Sequence, residues 1–188
     1  MTKSMVRMLQ RISNALCSLE LLGAGLAAAV VMALIVLNVV TRAMNMSLFW
    51  VDEAAIYVMV WMIFLATAVT LKRREALSVT VLVAYLPPRL RALTGVIIDF
   101  SVLLFAVLVL VFSWFWYAPL DLVLHGFDLA EFSAETLNFM YQEHANTFGL
   151  SKFWVWLIIP YFGCSVGLHA LANLCTDPRG RYMNEPHG

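Results

Sequence analysis

The stretch KRREALSVTVLVAYLPPRLR, residues 72–91, decides the fold. It opens on Lys72-Arg73-Arg74 and closes on Arg89 and Arg91, with Leu77, Val79, Val81, Leu82, Val83, Tyr85 and Leu86 between them. Were this run to cross a bilayer, its two basic ends would face opposite sides. Cytoplasmic loops of membrane proteins carry the Lys/Arg excess, so charge at both ends argues against a crossing. We therefore read residues 75–91 as a segment lying along the inner interface. It is ended by Pro87-Pro88, because proline lacks an N–H and clashes with the preceding turn.

Working outward, the same rule orders the whole chain. The other basic clusters are Lys3, Arg7 and Arg11 at the start and Arg179 and Arg181 at the end; only Arg42 and Lys152 fall in the remaining gaps. Those gaps hold seven of the 12 acidic residues, namely Asp52, Glu53, Asp121, Asp128, Glu131, Glu135 and Glu143. A span needs about 20 apolar residues. The alternation predicts an all-α membrane protein with four transmembrane helices, at about 16–41, 54–71, 93–116 and 153–174. Both termini are expected in the cytoplasm. The chain is then a single transmembrane domain, 1–188, with an inner interfacial segment at 75–91 and an outer loop at 117–152.

Composition agrees with this class. The chain is 62% hydrophobic and 13% charged, against about 25% charged in soluble domains. Its net charge is zero and it has no broadly basic surface, so nucleic acid is not an expected partner, whereas membrane lipid is. The start does not read as a signal peptide, because the apolar run after it exceeds an h-region of about 7–15 residues. Residues 1–15 instead read as an amphipathic lead-in on the inner leaflet, with Met5, Met8, Leu9 and Ile12 opposite Lys3, Arg7 and Arg11. Cys17, Cys164 and Cys175 form no Cys-x-x-Cys pair and are expected to be small packed side chains.

Two polar sets stand out. Asn38 and Arg42 share a helix face at the outer end of span one; Trp50, Asp52, Glu53, Tyr57 and Trp61 follow across a short turn. Arg42 can meet Asp52 or Glu53, closing the hairpin, and the patch could also be read by another subunit, since unpaired charge near hydrocarbon is costly. The second set is Glu20, Asp99 and His169, one in each of spans one, three and four and at comparable depth. These could converge as hydrogen-bonded packing contacts or face a partner.

In the outer loop, Ser133 is the expected N-cap of a helix carrying Leu137, Met140, Tyr141 and His144 at i, i+3, i+4, i+7. Trp114, Trp116, Tyr117, Trp154 and Trp156 bracket the loop as an aromatic belt. Glu135, Glu143 and His144 make only a weak metal signal, since no second His stands at ligand spacing. No metal, cofactor or catalytic residue is expected.

The ordered set Asn38, Arg42, Trp50, Glu53, Tyr57, Trp61, Phe64 and Leu65 is followed by an inner basic run and Leu86-Pro87-Pro88-Arg89. It resembles the small membrane subunit of the tripartite ATP-independent periplasmic (TRAP) transporters. The chain departs from the family pattern at Ala66, Ala76 and Thr80. The resemblance implies a bacterial inner-membrane scaffold subunit, not an enzyme. Its implied partners are a large multi-span subunit that moves an organic acid with sodium, and a periplasmic substrate-binding protein. Two other readings remain: a self-contained four-helix proton-coupled exporter built on Glu20, and a membrane redox subunit. The redox reading has little support, because bis-histidine haem needs two facing histidines and only His169 lies in a span.

Overall fold

The computed structural model describes residues 3–74, 86–147 and 149–175. Among these, seven helices form: α1 (Lys3–Ala43), α2 (Phe49–Arg73), α3 (Pro88–Tyr117), α4 (Pro119–Leu124), α5 (Leu129–Thr136), α6 (Lys152–Trp156) and α7 (Ile158–Leu174). Four stretches are long and apolar enough to cross a membrane: α1, α2, Leu93–Leu124 and Lys152–Leu174. The all-α, four-span architecture is therefore present. The interfacial reading of residues 75–85, with Ala76 and Thr80, lies outside the described residues. Residues 88–91 belong to α3 rather than to that segment, with Pro88 in its first turn. There the missing N–H costs nothing and the fixed φ favours a helix start.

α1 differs from expectation. The lead-in and the first span are one uninterrupted helix of 41 residues. No Gly or Pro occurs before Gly23 to stop it, and Met5, Met8 and Ile12 stay exposed on its first third. Ser13, Cys17, Glu20 and Ala24 form a buried stripe at helical spacing. At about 1.5 Å per residue, α1 is about 60 Å long, roughly twice a ~30 Å hydrocarbon core.

Tie points at its two ends show how that length fits. Arg42 meets Asp52 at one end. At the other, Gln10 bonds the Ala172 carbonyl and Asn173 bonds the Lys72 carbonyl. Between these levels α1 runs about 48 Å while α2 covers about 30 Å. The Arg42 and Gln10 side chains reach across part of that difference at the two ends.

α7 is the hub of the bundle and packs against α1, α2 and α3. Half of the fourth span's most apolar window is buried within the chain, against 11% for α2 and none for α1. Ala68, Ala106, Phe162 and Val166 form the apolar centre, with Phe64 set edge-on to Phe162 at 5.1 Å. Small residues allow the close approach. A Cβ added at Gly163 would lie 2.9 Å from Leu110.

The fourth span is broken at Leu157, between α6 and α7. Pro160 lies just beyond and cannot donate to the Trp156 carbonyl four residues back. The Trp61 indole donates to the neighbouring Val155 carbonyl at 2.9 Å, satisfying a backbone group at the break.

The outer loop is folded into a cap. The expected helix starting at Ser133 is not there. The helix instead runs from Leu129 to Thr136, with Asp128 accepting from the Ala130 and Glu131 amides. Leu137 ends it in the left-handed region at φ 56°. Asn138 then accepts from the Met140 amide and donates to the Trp116 carbonyl. These side chain–backbone bonds compete with helix propagation, which is why residues 137–144 do not continue as a helix.

Candidate functional site

The outer polar set divides into two. Asn38 and Arg42, on α1, both donate to Asp52 at the start of α2; the Arg42 bond is 2.8 Å. The Arg42 and Asp52 side chains are at least half exposed, so this pair closes the hairpin while presenting charge outward. A surface pair of this kind contributes little to stability by itself. Trp50 is also outward-facing, at 42% exposure.

Glu53, Tyr57 and Trp61 do something different. They follow at four-residue spacing and share one face of α2. Glu53 accepts from the Asn146 amide at 2.9 Å, from the Thr147 amide at 2.9 Å and from the Thr147 hydroxyl at 2.5 Å. Tyr57 donates to Glu53 at 2.7 Å. Trp61 reaches the break after α6. This face therefore holds the chain's own outer loop and its fourth span. Sequence reasoning grouped these residues with Arg42. It missed that successive residues Asp52 and Glu53 point to different neighbours, as the 100° turn per helical residue dictates.

The inner set also divides. Glu20 and His169 meet at 2.9 Å. Ser13 bonds the other His169 nitrogen at 2.8 Å, and Ser165 and Tyr161 donate to Glu20. Asp99 does not join them. It pairs with Arg74, whose Nε donates to Asp99 Oδ1 at 3.0 Å and whose Nη2 reaches Oδ2. Arg74 can turn toward α3 because it is the left-handed C-cap of α2, at φ 57°. Its role was not legible from sequence, since it is one of three consecutive basic residues.

Ser13, His169 and Glu20 have the connectivity of a hydrolytic triad, but the setting is wrong for one. All three are at most 1% exposed. A nucleophile needs room for a substrate beside donors aimed at the developing oxyanion. Buried charge must be paired and hydrogen-bonded, and this network achieves that by fixing α1 to α7.

Among the described residues, no group of three His, Cys, Asp or Glu is placed to hold a metal. His125 pairs with Glu135 at 3.0 Å, while His144 forms an isolated backbone bridge with Ser151. Cys17 is buried as expected, whereas Cys164 faces outward and Cys175 is half-buried.

The arrangement is thus a membrane bundle whose polar residues tie helices to one another and whose longest helix packs one face on α2 and leaves the opposite face exposed. Comparison with known proteins agrees. The family model for the DctQ component of tripartite ATP-independent periplasmic transporters matches residues 31–180. The C4-dicarboxylate TRAP transporter small permease protein DctQ of Vibrio cholerae serotype O1 is 30% identical over 83 residues, which are 44% of this chain and 36% of that protein. The chain thus spans little more than a third of that relative's length in the match. No solved structure matches. With the match extending over most of the bundle, the chain belongs to the DctQ component family of tripartite ATP-independent periplasmic transporters, and so is a small membrane subunit of a transporter and not an enzyme.

Proposed function

We propose that this bacterial inner-membrane subunit braces a large, sodium-coupled, elevator-type membrane subunit that moves an organic acid delivered by a periplasmic binding protein. In this reading both termini are cytoplasmic, the α4–α5 cap is periplasmic, and substrate recognition belongs to the partners. The observation that carries the proposal is the uneven covering of the bundle. α7 is packed inside, while α1 lays one face on α2 and has no fully buried residue in its most apolar window. Leu22, Leu26, Met32, Val36 and Val39 are exposed along it. A static helix face of that length suits contact with a second membrane protein. The exposed Arg42–Asp52 pair at its outer end supplies a charged registration point.

The organic-acid class is supported by the C4-dicarboxylate named for the Vibrio relative. A self-contained proton-coupled exporter is disfavoured because Glu20, the carboxylate it would need, is sealed by three side chains. The test is reconstitution in proteoliposomes. Uptake is expected only when this chain, the large subunit, the binding protein and an inward sodium gradient are all present. Uptake by this chain alone would overturn the proposal.

A further inference from the structure

Below the outer cap lies a cavity of about 400 Å³ between the end of α3, the 137–143 turn and α6. Its walls include Trp116, Trp156, Leu137, Phe139, Asn138 and Glu143. The two indoles stand 5.9 Å apart at a tilted angle. Asn138 holds the turn in place through its bond to the Trp116 carbonyl at 2.7 Å. That bond fixes the turn against the end of α3. Glu143, more than half exposed, has the Lys152 ammonium 3.5 Å away.

From this we infer a binding site for one zwitterionic phospholipid with an ethanolamine headgroup. Three observations select that occupant. The first is depth. Trp116 is in the last turn of α3 and Trp156 ends α6, one turn into the fourth span, the level where aromatic rings meet lipid headgroups. The second is charge. Glu143 lines the cavity, and Lys152, outside the lining, is its ion-pair partner at 3.5 Å; the ammonium and phosphate of one headgroup can exchange into that pair. Indole faces add cation–π attraction for the ammonium. An anionic headgroup would satisfy only Lys152 and meet Glu143 as a like charge.

The third is an apolar track. Phe105, Leu108, Phe112 and Trp116 recur at three- and four-residue spacing on α3, and all are more than 40% exposed. This stripe leads from the cavity down the span, where an acyl chain would lie. A water-soluble zwitterion would make no use of it. The site is independent of the transport proposal, because it uses only this chain.

Native mass spectrometry of the full chain in detergent tests it, with palmitoyl-oleoyl phosphatidylethanolamine, the matching phosphatidylglycerol and soluble phosphoethanolamine as separate probes. The ethanolamine lipid should be retained about tenfold more than phosphatidylglycerol, and Glu143→Gln should reduce that preference to within about twofold. Equal retention of the two lipids, or an unchanged preference in Glu143→Gln, overturns the site. Displacement of the lipid by equimolar phosphoethanolamine would assign the cavity to a free small zwitterion and overturn it as well. Should Glu143→Gln lose the helical signal of the native chain, tryptophan quenching in the native chain decides. Ethanolamine lipid brominated near the headgroup should give a saturable quenching component that brominated phosphatidylglycerol lacks, and its absence overturns the site.

Discussion

His169 presents both ring nitrogens to oxygen, Ser13 on one side and Glu20 on the other, while its exposure is 1%. Removing the imidazole would leave Glu20 buried with only the Ser165 and Tyr161 hydroxyls. Breaking a buried pair by deleting one partner costs about 3–5 kcal/mol. His169→Ala should therefore lower the apparent melting midpoint in detergent sharply. Glu20→Gln keeps an acceptor and should cost clearly less. Equal loss from both variants would refute the charge-pairing account. The corresponding test for the second pair is Asp99→Ala, which takes the Asp99 carboxylate away from Arg74. It should destabilise more than Arg42→Ala, because the Asp99 side chain is 5% exposed and that of Asp52 is 50% exposed. The intramembrane candidates were legible in the sequence because charge in an apolar run is visible by inspection. Their pairing was not, because it depends on which helices are neighbours and on the cap geometry that turns Arg74 toward α3.

Among the elements, the outer cap depends on Glu53. Its carboxylate gathers two backbone amides and a hydroxyl from residues 146 and 147 onto the start of α2. In Glu53→Ala, amide hydrogen exchange at Asn146 and Thr147 should accelerate at least tenfold, with little change in the middle of α3. Unaltered protection at those amides would show that the hairpin stands without this anchor. The cap also carries a pH-sensitive joint. The Glu135 carboxylate and the Asp121 carbonyl accept at the two nitrogens of His125, and together they raise its pKa above the ordinary value. A raised value in the folded state means the contribution is complete below the unfolded pKa of about 6.5. It is lost as pH rises through the folded value. Exchange protection at Gly126 and Phe127 should thus be higher at pH 5.5 than at pH 8.5, and His125→Gln should remove the difference. That there are four spans was readable from hydropathy because each needs only length and apolarity. The cap helix was mis-phased because Asp128 and Asn138 act through local backbone capture, which periodicity does not record.

For the whole molecule, covering and placement make the predictions. Arg42→Glu puts a carboxylate opposite Asp52 at the exposed end of the α1–α2 hairpin. It should reduce co-purification of the large subunit several-fold, and a pull-down yield equal to the unmodified chain would count against α1 as the contact. Placement of the ends is testable in the assembled complex with the three native cysteines replaced. A membrane-impermeant thiol reagent applied to spheroplasts should label Glu131→Cys and leave Lys3→Cys untouched until the cells are opened. The reverse pattern would invert the proposed orientation. The four-span, all-α class was available from charge alternation alone. The tie points of α1 were not, because they depend on which helices become its neighbours.

The Glu20–His169 bond also bears on how the chain is made. The two residues are 149 positions apart, so at roughly 5–20 residues per second the carboxylate leaves the ribosome about 7–30 s before its imidazole. During that interval the first helix has already entered the bilayer with an acid and no counterpart. With the amino end cytoplasmic, as proposed, interfacial water on the ribosomal side is the cheapest provisional solvent for it. The bond that buries this acid can form only once the last helix has been made, so the bundle closes from its carboxyl end.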